Sequence, residues 1–218
     1  MSFDDLVEVR GIDILGETDW FWIKTDSGGF GDAKDGPMRD WIDGHSKKYF
    51  EYLRGFDTVV TGGAACGMHV RFLVKRFRHA FAFEPDPLSF HCLVNNAPFE
   101  NVVKLNAAIG HGNGIVGLDR SHMSNIGMHR IADANRFRIP MLAIDSLKLT
   151  ACDLIQLDVE GYEQFAIQGA RRTIDAFKPV IIAERFDGPD HIKFMYGFGY
   201  ELIDTSFMCS IYMPLGTN

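Results

Sequence analysis

The sequence predicts an α/β protein whose central sheet is mostly parallel and is covered by helices on both faces. From residue 56 onward, short β-rich apolar runs alternate with amphipathic helical stretches, and the first run ends in closely spaced glycines ahead of a helix. Two short runs near the C-terminus lie close enough for a closing hairpin, which predicts an antiparallel pair at one edge.

The elements follow in order. DTVVT (57–61) is the first strand, ended by Gly62-Gly63-Ala64-Ala65-Cys66-Gly67. Gly67 to Arg78 reads as a helix that buries Val70, Phe72, Leu73, Val74 and Phe77, with Arg71, Lys75, Arg76 and Arg78 on its solvated side. AFAFE (80–84) is the second strand, and Asp86 caps a helix over Leu88 to Asn96 with Pro87 at its first position. NVVKLNAAI (101–109) is the third strand and DLIQLDV (153–159) the fourth. One helix is expected over Tyr162 to Phe177, then a fifth strand in KPVIIAE (178–184) and the hairpin Tyr200–Thr205 with Met208–Met213.

Two regions break the rhythm. Residues 1–55 form an N-terminal extension, rich in Asp, Gly and Trp, that reads mostly as loop; the domain proper is 56–218. Residues 110–138 carry glycines and SHMSNIGMHR. Both are too apolar for linkers, with Trp20, Phe21, Trp22 and Trp41 in the first, and are expected to roof a site. Trp22 would stack on a ligand or pack into the core, and Lys24 and Arg39 could meet an anionic one.

The composition narrows the partners. A net charge of −7 over 218 residues disfavours a nucleic-acid footprint, and no apolar run reaches membrane-spanning length, so neither nucleic acid nor membrane is expected as a partner. Cys66, Cys92, Cys152 and Cys209 show no CxxC spacing, which suits free thiols and no structural zinc. With an acidic N-terminus that lacks the order of a signal peptide, the expected location is cytoplasmic. The oligomeric state is left open.

Glycines at a strand end let a ligand approach the backbone, and this turn would serve either of two adenosine cofactors. TGG-x-x-x-G resembles the nicotinamide turn of short-chain dehydrogenases; a strand, G-x-x-x-G and an acid at the next strand end resemble an S-adenosylmethionine site. Glu84 supplies that acid, suited to accept hydrogen bonds from both ribose hydroxyls. The dehydrogenase chemistry also needs a lysine four positions after a tyrosine. No tyrosine meets this: Tyr49, Tyr52, Tyr162, Tyr196, Tyr200 and Tyr212 are followed there by Leu53, Phe56, Ala166, Tyr200, Asp204 and Gly216.

IDSLKLTACDLIQLDVEGYEQFAIQGARRTIDAFKPVIIAE (144–184), with VVTGGAACG and FEPDPLSFHCLVNN upstream, closely resembles the FkbM family of S-adenosylmethionine-dependent methyltransferases over roughly residues 56–185. The resemblance implies a Rossmann-like class I methyltransferase fold, a seven-stranded sheet of order 3-2-1-4-5-7-6 with strand 7 antiparallel. It implies methylation of hydroxyls on sugars, glycans or small natural-product-like acceptors. Family members usually carry Asp where this chain has Thr61, which opens a second reading, a non-catalytic cofactor-binding module; an oxidoreductase is the third.

On this fold Thr61, Gly62, Gly63, Ala64, Cys66 and Gly67 are expected to approach the cofactor, Glu84 to hold its ribose, and Pro85, Asp86, Asn106 and Ala107 to lie near the adenine. Asp158 would face the methyl group and, with Glu160, act as general base or acceptor anchor. A divalent cation on these acids is a lesser alternative, since only two are evident. Glu163 would line or cap its helix start; Glu184, His45, His122 and His129 are weaker candidates for the base.

Overall fold

The computed structural model describes residues 2–11, 13, 16–27, 44, 48–122, 124–132, 137–206 and 208–216. Its main sheet has seven strands in the order β12-β13-β11-β10-β3-β4-β5. These are β3 (Thr58–Gly62), β4 (His79–Phe83), β5 (Val102–Leu105), β10 (Leu154–Leu157), β11 (Val180–Glu184), β12 (Tyr200–Ser206) and β13 (Cys209–Pro214). Numbered by their order within this sheet, they run 3-2-1-4-5-7-6, as expected. Only β13 runs antiparallel, to β11 and β12 alike.

The central strands are apolar throughout because both faces are covered. Val59, Leu154 and Ile182 point into one core with Leu73 and Phe77, while Val60, Ile155, Leu157 and Ile181 point into the other with Ile167 and Ile174. Each such side chain contributes roughly 1.5–3 kcal/mol.

The helices that flank the main sheet include α1 (Met68–Leu73), α2 (Pro87–Asn96), α3 (Glu163–Gln168), α4 (Arg171–Phe177) and α5 (Pro189–Gly197). Asp86 caps α2 as predicted, accepting from the Leu88 and Ser89 amides. The single helix expected over 162–177 is two, α3 and α4, parted at Gly169-Ala170. Gly169 lies so close to Gly110 that a Cβ would overlap its carbonyl oxygen. Asp145 then caps α4 from outside the helix, accepting from the Arg172 and Thr173 amides at 2.9 and 2.8 Å.

The expected third strand also divides. Val102–Leu105 joins the main sheet, whereas β6 (Ala108–Ile109) joins β9 (Arg138–Leu142), β7 (Gly114–Asp119) and β8 (Arg130–Ile131) in a second, four-stranded sheet. Asn106 makes the break by turning its amide back onto the Glu84 and Pro85 carbonyls.

The described part of the extension holds more regular structure than its composition suggests. β1 (Val7–Arg10) and β2 (Trp20–Ile23) form an antiparallel ribbon. Asn96 of α2 satisfies the Phe21 backbone on both sides, at 2.8 Å each, in place of a further strand. Trp20, Trp22 and Ile23 pack with Cys66, Met68, Leu88 and Cys92. Arg71 and Lys75, read as a solvated face, both pair with Glu17, which lies between β1 and β2.

Candidate active site

Strand register assembles the site. Gly62 pairs with Phe83 on one side and Leu157 on the other, Phe83 with Leu105, and Leu157 with Ala183. One residue further, the strand tips present a row: Asn106, Glu84, Gly63, Asp158, Glu184. Above the row is a cavity of about 710 Å³, lined among others by Gly63, Ala64, Glu84, Pro85, Ala107, Asp158, Glu160 and Glu184. It lies at the carboxyl ends of the parallel strands, where open α/β sheets bind ligands.

The glycine turn hugs the sheet. The Gly63 and Ala64 amides both donate to the Phe83 carbonyl, at 3.1 and 2.9 Å. Gly63 has φ +78, and a Cβ there would overlap the Asp158 carbonyl. We expect Gly63→Ala to cost roughly 1–3 kcal/mol in denaturant unfolding and to weaken ligand binding in titration calorimetry.

Glu84 is 6 % exposed. Its Oε2 accepts from the Ala65 amide at 2.7 Å and its Oε1 from the Asp86 amide at 2.8 Å. Burial pushes its pKa up to about 8, with Asp86 adding repulsion, against the lowering effect of the two amides. A buried carboxylate with lone pairs still available suits a ligand that brings further hydroxyl donors.

At the other end Asp158, Glu160 and Glu184 bring carboxylate oxygens within 4.8 Å of one another. Burial, then the charge and hydrogen bond of Glu184, then Glu160, hold Asp158 well above the carboxylate range. Glu160 is raised by burial and by Glu184. The cluster can share protons and accept one from a ligand; its three oxygens also match what a hard divalent cation takes as ligands. Glu184, a weaker candidate in the sequence, completes the trio because β10 and β11 are in register. Glu163 turns back instead to the Val159 and Gly161 amides, at 3.0 and 3.4 Å, and braces the turn carrying Glu160.

Several expected cofactor contacts lie behind the cavity wall. Thr61 faces the core, 1 % exposed, with no hydrogen-bond partner for Oγ1 among the described residues. Gly62 packs against Ile109, Leu157 and Val159. Cys66 is buried against Cys92, and Gly67 is the left-handed residue that starts α1. Asp86 is occupied with its helix, Arg120 and His129, while Asn106 braces the strand ends. These six shape the wall and do not line it.

Asn125 to Ile131 roof the cavity. The segment is tied down by the Ile126 amide on Asp26, 3.2 Å, and by His129 Nδ1, 3.2 Å from Asp86. Asp26 also accepts from the Trp22 indole at 2.8 Å, so Trp22 supports the roof from the core and does not line the cavity. His122 is exposed, and Lys24 donates to the Asp5 carbonyl, both away from the lining. Arg39, Trp41 and His45 lie outside the described residues, as does most of DSGGFGD.

A sequence model of the methyltransferase FkbM domain matches residues 63–202, more than half of the chain. The chain belongs to the FkbM methyltransferase family. Among solved structures it resembles an FkbM methyltransferase from Methylobacillus flagellatus, with a TM-score of 0.55 and 18 % identity over 75 % of this chain. This chain spans 45 % of that protein's length. A TehB-like S-adenosylmethionine-dependent methyltransferase from Corynebacterium glutamicum gives a TM-score of 0.47 at 12 % identity, covering 78 % of this chain and 86 % of that one. An rRNA methylase from Streptococcus thermophilus gives 0.45 at 11 %, covering 82 % and 96 %. A search of curated proteins found no match. Among the described residues, no helix is long and apolar enough to cross a membrane.

Proposed function

We propose that this FkbM-family chain is an S-adenosylmethionine-dependent methyltransferase that O-methylates a hydroxyl of a sugar, a glycan or a small natural-product-like acceptor. The observation that carries the reading is Glu84, a buried carboxylate on the cavity wall beside a glycine turn that leaves room for a nucleoside. Glu84 accepts the ribose hydroxyls, Pro85 and Ala107 flank the base, and Gly63 and Ala64 admit the methionine end against the strand tips. The bound cofactor supplies an activated methyl group on a sulfonium leaving group.

The chain's own task is to position the acceptor and remove its proton. The Asp158–Glu160–Glu184 cluster would take the acceptor's hydroxyl proton, leaving the acceptor oxygen free to receive the methyl group that the cofactor would supply. Burial and the neighbouring Glu184 raise the proton affinity of Asp158, so the cluster holds a transferred proton more tightly than an exposed carboxylate would. This acid cluster favours catalysis over a passive binding module. The cavity volume and the chain's charge of −7 favour a small acceptor over a nucleic acid.

Thermal denaturation tests the cofactor. S-adenosylmethionine and S-adenosylhomocysteine at about 100 times their dissociation constants should each add roughly 2.7 kcal/mol of stability. NAD(P) should add none. Stabilisation by NAD(P) alone would refute the reading.

A further inference from the structure

Seven non-glycine residues among those described have positive φ, and four of them line the cavity: Ala65 (φ 46), Glu160 (φ 52), Arg185 (φ 46) and Met208 (φ 67). Lys148 and Lys178 need no further explanation, since both end helices, where this conformation is common. Elsewhere left-handed backbone costs roughly 1–2 kcal/mol per residue and is kept where surrounding structure imposes it, often at ligand sites. Ala65 has its reason in the hydrogen bond to Glu84. The other three follow the tips of β10, β11 and β12, and bring Glu160, Arg185 and Met208 to the carboxylate end of the cavity.

There they meet the roof. Arg130 lines the same cavity, and both Arg130 and Arg185 exert a lowering charge effect on Glu160. Neither guanidinium is strongly committed among the described residues. Arg185 lies 3.6 Å from Glu184 and 3.5 Å from the Met208 sulfur, and Arg130 lies 3.9 Å from Asp119. Their side chains are 70 % and 63 % exposed, so most of their five N–H donors each remain open to a ligand.

We propose that Arg130 and Arg185 select an acceptor that carries an oxyanion, a carboxylate or a phosphate, near the hydroxyl to be methylated. The hydroxyl lies at Asp158, Glu160 and Glu184, and the anion is held at the rim by charge-assisted hydrogen bonds. This rests on the methyltransferase reading and adds the acceptor's charge to it.

The test uses the full chain with radiolabelled S-adenosylmethionine and three matched acceptors: D-glucose, D-glucuronate and D-glucose 6-phosphate. S-adenosylhomocysteine binding is measured alongside for every protein. At least one anionic acceptor should be methylated with kcat/KM about 10-fold or more above glucose, as one or two charge-assisted hydrogen bonds imply. Which one it is separates carboxylate from phosphate. Arg185→Met and Arg130→Gln, each still binding S-adenosylhomocysteine, should shrink that ratio toward one, mainly through KM. The proposal is overturned if glucose is preferred, if neither anionic acceptor is methylated by protein that binds S-adenosylhomocysteine, or if the ratio survives both substitutions. Wild-type protein that does not bind S-adenosylhomocysteine would defeat the cofactor reading itself, and the anion site with it.

Discussion

Glu84→Ala should bind S-adenosylmethionine about 100-fold more weakly than the wild type in titration calorimetry. Hydrogen bonds to a charged group contribute about 1.5–3 kcal/mol each, and on the proposed reading this residue accepts two from a ribose. Glu84→Gln should lose most of the same affinity with less harm to the fold, since its carbonyl can still accept from one of the Ala65 and Asp86 amides. The pH response sharpens the test. With the carboxyl pushed up to about 8, wild-type affinity should rise about 10-fold between pH 7 and pH 9 as the binding form becomes populated, and Glu84→Gln should show no such rise. Stability of the ligand-free chain runs the other way. The group ionises near 4.5 when unfolded and near 8 when folded, so the folded state holds the extra proton between these values. This contribution is fully present below about pH 4.5 and is lost as pH rises through 8; chemical denaturation of Glu84→Gln should lack that slope.

Asp158→Asn should lower turnover by about 100- to 10,000-fold, the range expected for loss of a general base, with cofactor affinity changed far less. Asparagine keeps the shape at the strand tip and removes the proton acceptor. Glu160→Gln should be milder, because Glu160 is the less buried of the two and Glu184 remains beside Asp158. Single-turnover rates on an identified acceptor, with S-adenosylhomocysteine binding measured in parallel, separate chemistry from binding. Full turnover by Asp158→Asn would remove the acid cluster from the mechanism. If the cluster works through a divalent cation instead, chelation should abolish wild-type activity and added Mg²⁺ or Mn²⁺ restore it.

The sheet was legible because its strands are apolar on both faces and punctuated by glycine, proline and capping acids, signals local in sequence. Asp86 before Pro87 is such a signal, and the α2 cap follows from it. What was missed depends on contacts distant along the chain. The break at Gly169 follows from the approach of Gly110, some sixty residues earlier, and nothing near Gly169 announces it. β7 carries two glycines in six residues, which weaken a strand signal, and the β1–β2 ribbon is stabilised by Asn96 of a helix. α5 buries only Met195, so it lacks an apolar stripe, though Pro189 at its start was available as a sign. The site divides in the same way. Glu84 and Asp158 follow from their strand ends, whereas Glu184 joins Asp158 only through strand register. Thr61 and Cys66 lie within the glycine motif, yet strand alternation and the turn aim them into the core.

The most direct test is a crystal structure of the chain with S-adenosylhomocysteine. It should show both ribose hydroxyls about 2.5–3.0 Å from the Glu84 carboxylate and the sulfur turned toward Asp158. A sugar placed away from Glu84, or a ligand bound outside this cavity, would contradict the account.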